Sequence, residues 1–250
     1  MGSVGVGCTV SEGVKVHVEK SDVSKILFNQ KLLTFPTVFS VIKKLTNVSV
    51  TVNISSKLPL AYGFGISGAS ALATAFALND YLELSYKPTK LIEIAHIAEV
   101  ENRTGLGSVA TQSVGGFLLK EEPGIPAKFR RLFFIGQKIF ATIIDRIETP
   151  SVLGDARRLT RVNSAAKRAI AVISKSSKAA FVDVLDISYS FAKESGLLTR
   201  RVSEIIDGIR RRGGHATMAM IGEVVLSDQK PVCDYIVREL TVTKDTIRPV

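Results

Sequence analysis

PLAYGFGISGASAL occupies residues 59–72, punctuated by Gly63, Gly65 and Gly68. An apolar, Ala-rich stretch follows directly, from Ala69 to Leu82. Ala and Leu are strong helix formers, so this composition predicts a buried helix. A glycine-rich turn feeding a helix N-terminus aims several backbone N–H groups in one direction, and the helix dipole adds partial positive charge there. Glycine tolerates positive φ and lets the backbone come close to an anion. The stretch therefore reads as a phosphate cradle. The Ser67 hydroxyl stands at its mouth, within reach of a phosphate oxygen or its Mg²⁺. A tight loop ahead of a packed helix is the plainer alternative, and glycines alone do not separate the two. The loop is not a Walker motif, because no Lys-Ser/Thr pair closes it.

Outward from this loop the chain has an α+β order. Val4, Val6, Cys8 and Val10, then Val14, Val16 and Val18, alternate about Ser11-Glu12-Gly13, the pattern of a hairpin. Pro36 to Lys44 predicts a short helix with proline near its start. Val48–Ile54 alternates as a strand, and Lys87-Pro88-Thr89 opens another helix. Strands are expected at Val114–Lys120, Ile139–Ile144, Met218–Leu226 and Tyr235–Val242, and helices over 151–173, 178–195 and Val202–Arg212. No internal repeat or low-complexity tract interrupts this order. Pro123-Gly124-Ile125-Pro126 is a turn and the best single candidate for a lobe boundary.

The helix after Pro88 carries candidate chemistry. Leu91, Ile94, Ala95 and Ala98 form its buried stripe. His96 and Glu99 are three apart and project from nearly one face, joined by Arg103 if the helix extends that far. A carboxylate, an imidazole and a guanidinium beside a phosphate loop suit Mg²⁺ and two anionic substrates. An ordinary amphipathic helix with a solvated polar face is the competing reading, and Glu101 is the substitute carboxylate if the register differs.

Composition limits the choices. A chain of 250 residues buries a substantial core as one large domain or two joined lobes. No apolar run approaches the 18 or more residues of a membrane span, and the start, MGSVGVGCTVSEGVKV, lacks the features of a secretory signal. Cys8 and Cys233 form no CxxC or Cys/His cluster, which argues against zinc and for a reduced, cytoplasmic setting. Thirty-three basic against 23 acidic residues give a net charge of +10. Such a surface attracts polyanions, yet no nucleic-acid-binding motif accompanies it. A nucleotide enzyme with an acidic substrate explains the charge more simply than nucleic acid does.

Three ordered blocks carry a more specific signal. Pro59-x-x-x-Gly63-x-Gly65-x-Ser67-Gly68-Ala69 resembles the ATP loop of the GHMP kinases, small-molecule kinases typified by galactokinase, homoserine kinase and mevalonate kinase. AHIAEVENRTGLGSVATQSVGG, residues 95–116, is similar to the substrate-proximal segment of that family's archaeal pantoate kinase branch. HATMAMIGE, residues 215–223, is similar to the stretch that replaces the glycine-rich third motif in the same branch. The resemblance runs from about residue 2 to 226.

It implies a two-lobed α+β fold with mixed and antiparallel sheets covered by helices. The N-terminal, nucleotide-binding lobe would span 1–122 and the C-terminal lobe 123–250, the two able to form one compact unit. It implies ATP on Pro59, Gly63, Gly65, Ser67, Gly68 and Ala69, and Mg²⁺ on Ser67 and Glu99. His96, Lys120, Thr149 and Thr217 would face pantoate, a small hydroxy acid. The implied reaction is phosphorylation of pantoate to 4-phosphopantoate in coenzyme A biosynthesis, with Glu99 and Ser108 as catalytic residues. A homodimer is compatible with it, and a membrane partner is not expected.

Three departures stand out against that family. Ser108 occupies the position of an aspartate taken as the acid/base, and Lys120 that of a substrate-binding arginine. Lysine keeps the charge but loses the bidentate grip on a carboxylate. The family's opening strand and Pro-Gly-His segment would lie ahead of Met1 and are missing from this sequence. These departures leave open a second reading, a catalytically weak nucleotide-binding homologue with a regulatory or partner role.

Overall fold

A computed structural model describes residues 1–147, 155–176 and 179–248. Two compact units divide the chain. The first comprises Met1–Leu60, Gly65–Ile135 and the residues from Thr243 onward; the second comprises Ala61–Phe64 and Gly136–Val242. The 123–126 turn lies inside the first unit.

In the first unit, β-branched alternation builds a mixed sheet in the order β2-β5-β3-β4, from β2 (Val14–Lys20), β3 (Lys25–Phe28), β4 (Lys31–Leu32) and β5 (Val50–Ser56). β2 and β5 run antiparallel, whereas β3 and β5 run parallel. A parallel pair needs a crossover, and helix α1 (Pro36–Leu45) lies in that connection. Pro36 sets its first turn, and Lys43 and Lys44 sit at the negative end of its dipole. Val18, Ile26, Val50, Val52 and Ile54 bury their side chains against α1, α2 (Ile66–Tyr81) and α3 (Pro88–Glu101). α2 is the central helix. Ala71 and Ala75 let its neighbours approach closely, while Leu72 and Leu78 fill the remaining volume.

A second sheet in this unit has the order β1-β6-β7, with β1 (Gly5–Cys8), β6 (Phe117–Lys120) and β7 (Phe129–Leu132) all antiparallel. Helix α4 (Ser108–Val114) leads into β6 through Gly115 and Gly116, whose φ values of 70° and 104° favour glycine.

The second unit holds one antiparallel sheet in the order β11-β8-β10-β9, from β8 (Lys138–Asp145), β9 (Ala216–Met218), β10 (Glu223–Ser227) and β11 (Ile236–Thr241). Its helices are α5 (Ala156–Lys175), α6 (Phe181–Ser195) and α7 (Arg200–Arg210). Val202, Ile206 and Ile209 on α7 pack with Ala216, Met218 and Val225 of the sheet. Asp155 caps α5 by accepting from the N–H groups of Arg157 and Arg158. Among the described residues no helix is long and apolar enough to cross a membrane.

Several expected elements differ. Residues 4–18 are two strands but not a hairpin, since β1 pairs with β6 and β2 with β5. Alternation specifies a strand and its faces; its partner depends on distant residues. The strand expected over Met218–Leu226 is two strands folded back at Ala219–Gly222, closed by Ala219 N–H donating to Val224 O at 2.8 Å. The first residue of the strand expected at Val114–Lys120 belongs to α4. Arg103 lies beyond α3, with φ +54°, and so leaves the His96–Glu99 face. The short strands β3, β4 and β7 carried too few residues to show a period.

Candidate active site

Backbone conformation at the glycine loop follows from its sequence. Gly63 and Gly65 adopt φ of +91° and +69°, the left-handed region that side chains avoid. Gly65 is the N-cap of α2 and offers no side chain to cap it. The first N–H groups of a helix have no intrahelical partner; here the intrahelical bonds begin with Ala69 N–H donating to Gly65 O at 3.0 Å. Gln112, one turn after Ser108 on α4, donates to the same oxygen at 2.9 Å. Pro59 and Leu60, both half-buried, lead from β5 towards the loop.

Gly68 has a different reason to be glycine. It is helical, and a Cβ there would lie 2.7 Å from Ser108 Oγ and 2.9 Å from Glu99 Oε2. A Cβ on Gly105 would overlap Glu99 Oε1. Two glycines thus clear the space that the Glu99 carboxylate occupies beside the first turn of α2. Glu99 is fully buried. Its Oε2 accepts from Ser108 Oγ at 2.7 Å, and the carboxylate also accepts from Val109 N–H at the start of α4. Burial pushes its pKa up to about 7, with these two hydrogen bonds opposing the rise. Oε1 is buried with no partner among the described residues.

His96 lies one turn earlier on α3 and is also buried. Its Nε2 is 3.0 Å from Met1 O, and Nδ1 is buried without a partner. Burial lowers its pKa, with further lowering from the Lys120 charge, so the ring is neutral at pH 7. A carbonyl only accepts, so Nε2 carries the hydrogen and Nδ1 presents a lone pair. Lys120 ends β6 and is 3% exposed. Its Nζ is buried with no hydrogen-bond partner among the described residues, and burial lowers its pKa.

The first unit thus gathers Gly65, Ser67, Gly68, Ala69, Glu99 and Ser108, with His96 and Lys120 following on α3 and β6. Gly63 and Thr217 belong to the second unit. There the β9–β10 turn packs against the 61–64 tract: a Cβ on Gly222 would overlap the Tyr62 carbonyl, and one on Gly63 would lie 3.2 Å from Met220 O. Thr217 is buried with an unpartnered hydroxyl. Thr149 lies outside the described residues. Glu101, the substitute carboxylate, forms an exposed ion pair with Lys44 at 2.9 Å. Cys8 and Cys233 are free thiols.

Sequence reading passed over Thr37, Thr104 and Gln112, which support the loop from behind. The Ser108/Gln112 spacing of four on a helix was the one available signal for Gln112. Gly63, Gly65 and Gly68 also have GxGxxG spacing, and it is topology that sets them apart from a dinucleotide fold. The next strand after α2 is β6, which pairs antiparallel with β1 in another sheet instead of parallel to β5.

Residues 35–116 match the GHMP kinases N terminal domain family. Pantoate kinase of Methanocaldococcus jannaschii is 30% identical over 92% of this chain and 84% of its own length. The chain belongs to the GHMP kinases. A second relative within this family, pantoate kinase of Thermococcus kodakarensis, is 30% identical over 82% of this chain and 71% of its own. The GHMP kinase fold extends through the whole chain. A solved structure described as a phosphotransferase related to the CoA biosynthesis pathway superposes with TM-score 0.83 at 23% identity, covering 98% of this chain and 88% of that one. The mevalonate kinase of Methanococcus jannaschii superposes at 0.70 with 15% identity, covering 95% and 91%.

A GHMP kinase uses ATP, usually with Mg²⁺. The donor set here fits that ion, which takes one or two protein oxygens and fills its shell with phosphates and waters. Glu99 Oε1 is a buried oxygen lacking a partner, next to the turn that carries the Ser67 hydroxyl. Among the described residues no group of three or more His, Cys, Asp or Glu gathers as a metal cage.

Proposed function

We propose that this GHMP kinase transfers the γ-phosphoryl group of ATP to the 4-hydroxyl of pantoate, yielding 4-phosphopantoate and ADP. The acceptor oxygen bonds to the γ-phosphorus, the bond to the β–γ bridging oxygen breaks, and the hydroxyl proton is released. The single observation supporting an anionic acceptor is Lys120. A buried ammonium without a hydrogen-bond partner is held at a cost, and a substrate carboxylate is the counter-charge that removes it. The relatives named pantoate kinase support this acceptor in particular.

Within this reading the loop N–H groups from Gly65 to Gly68 receive the triphosphate, the Ala69 N–H being held by Gly65 O, and Ser67 and Glu99 hold Mg²⁺. When bound, Mg²⁺ neutralises charge on the phosphate oxygens as the phosphoryl group moves. Ser108 donates to Glu99 Oε2 and so orients the carboxylate, a task a neutral hydroxyl performs as well as an acid. Phosphoryl transfer depends mainly on positioning and electrostatics, so the absence of an aspartate at 108 leaves most of the catalytic contribution in place. His96 Nδ1 accepts a hydrogen bond from a substrate hydroxyl. The protein works in the cytoplasm, where both substrates are available. Part of the basic charge of the second unit is paired internally: Arg168 with Glu194 at 2.7 Å, Arg201 with Asp145 at 2.9 Å, and Arg210 with Asp186 at 3.0 Å.

ADP release with ATP, Mg²⁺ and pantoate tests the proposal. Turnover should require pantoate and disappear in Lys120→Met. ADP formation that is indifferent to pantoate, or to Lys120→Met, would overturn it.

A further inference from the structure

Behind Ser67 runs a chain of hydroxyl groups joining the ends of three helices. Ser67, second residue of α2, donates from Oγ to Thr37 Oγ1 at 3.4 Å. Thr37, second residue of α1 and 0% exposed, is 2.8 Å from Thr104 Oγ1. Thr104, just past α3, donates to Glu99 O at 3.5 Å. The polarity of this chain follows from its last member. A carbonyl oxygen only accepts, so Thr104 gives its proton to Glu99 O. Thr104 Oγ1 is then the acceptor for Thr37, and Thr37 the acceptor for Ser67. One direction satisfies every bond, and buried hydroxyls are costly to leave unsatisfied. The Ser67 proton therefore points inward and its lone pairs point outward, away from Thr37. A hydroxyl so arranged suits a cation; it has no proton left for a phosphate oxygen.

We infer that Thr37 and Thr104 are positioning residues that orient the Ser67 lone pairs towards the metal ion of the bound nucleotide. The inference rests on the reading of Ser67 as a metal-side hydroxyl. It also links the two metal-binding residues mechanically, because the chain that begins at Ser67 ends on the backbone of Glu99.

Mn²⁺ binding to the full chain saturated with a non-hydrolysable ATP analogue, followed by electron paramagnetic resonance, tests this without turnover. Thr37→Val keeps the shape and removes the hydroxyl. It should weaken Mn²⁺ binding about tenfold, whereas Thr37→Ser should restore wild-type affinity. Thr104→Val should act in the same direction, and it carries the test alone if Thr37→Val does not fold. Wild-type Mn²⁺ affinity in a folded Thr37→Val or Thr104→Val protein, with Ser67→Ala weakened, overturns the inference and leaves the Ser67 reading intact. Unchanged affinity in Ser67→Ala overturns both.

Discussion

Replacing Glu99 with glutamine should stabilise this protein at alkaline pH while abolishing its activity. Glu99 titrates near 4.5 when exposed and near 7 in the fold, because burial disfavours its charge. The sign follows directly. Below pH 4.5 the carboxyl is protonated in both states and costs nothing; between 4.5 and 7 the unfolded chain ionises while the folded one resists, so stability falls as pH rises. Above 7 the loss is complete. That interval, at about 1.36 kcal/mol per pH unit, is worth about 3 kcal/mol. Glutamine has the same shape, accepts from Ser108 and Val109 through its carbonyl, and never ionises. Urea unfolding should therefore show Glu99→Gln more stable than wild type by about 3 kcal/mol at pH 8 and by about 1 kcal/mol at pH 5. Far-UV circular dichroism suits the assay, since the chain has no tryptophan. At pH 8 the midpoint shift would be about 1 M urea. Pantoate-dependent ADP release should vanish in the same variant. A stability difference that is equal at pH 5 and pH 8, or that favours wild type at pH 8, refutes the argument that burial of the charge is what strains this site.

Lys120→Met should behave as the mirror image. Burial lowers the lysine pKa, so its cost is present at neutral pH and fades as pH rises from the folded pKa towards 10.5; thermal melts should show the variant stabilised at pH 7 and level with wild type at high pH. An acceptor analogue with hydrogen in place of the pantoate 2-hydroxyl should lose about 10- to 100-fold in kcat/KM, because it leaves the His96 Nδ1 lone pair buried and unpaired; equal kcat/KM for the two would remove His96 from acceptor recognition. Gly68→Ala puts a methyl 2.7 Å from Ser108 Oγ and 2.9 Å from Glu99 Oε2. It should cost about 1–3 kcal/mol in thermal unfolding and impair turnover together, and a fully active, equally stable Gly68→Ala protein would show that the carboxylate has room to move.

Much of this architecture was legible from local pattern. The Ala-rich α2, the Pro-started α1 and α3, and the left-handed glycines at 63 and 65 express preferences of a few neighbouring residues, so a single sequence reveals them. The same holds for the placement of His96 and Glu99 one turn apart on α3. Strand partnership was not legible: the alternation in β1 and β2 looked like one hairpin, yet distant Lys120 and Ser56 mark the strands they join. The reason for Gly68 was hidden too. Its spacing suggests a phosphate loop, whereas its neighbours are Ser108 and Glu99, forty and thirty-one positions further along the chain.

The sequence by itself determined the helices, the longer strands and the conformation of the glycine loop, because those depend on backbone preference and short-range periodicity. Only the tertiary structure decided the chemistry of the site's side chains. Burial raised Glu99 and depressed His96 and Lys120, and packing of three helix ends gave the Ser67 hydroxyl its direction through Thr37 and Thr104. Desolvation and hydrogen-bond polarity belong to an environment, and an environment assembled from residues 37, 67, 99, 104 and 120 exists only once the chain has folded.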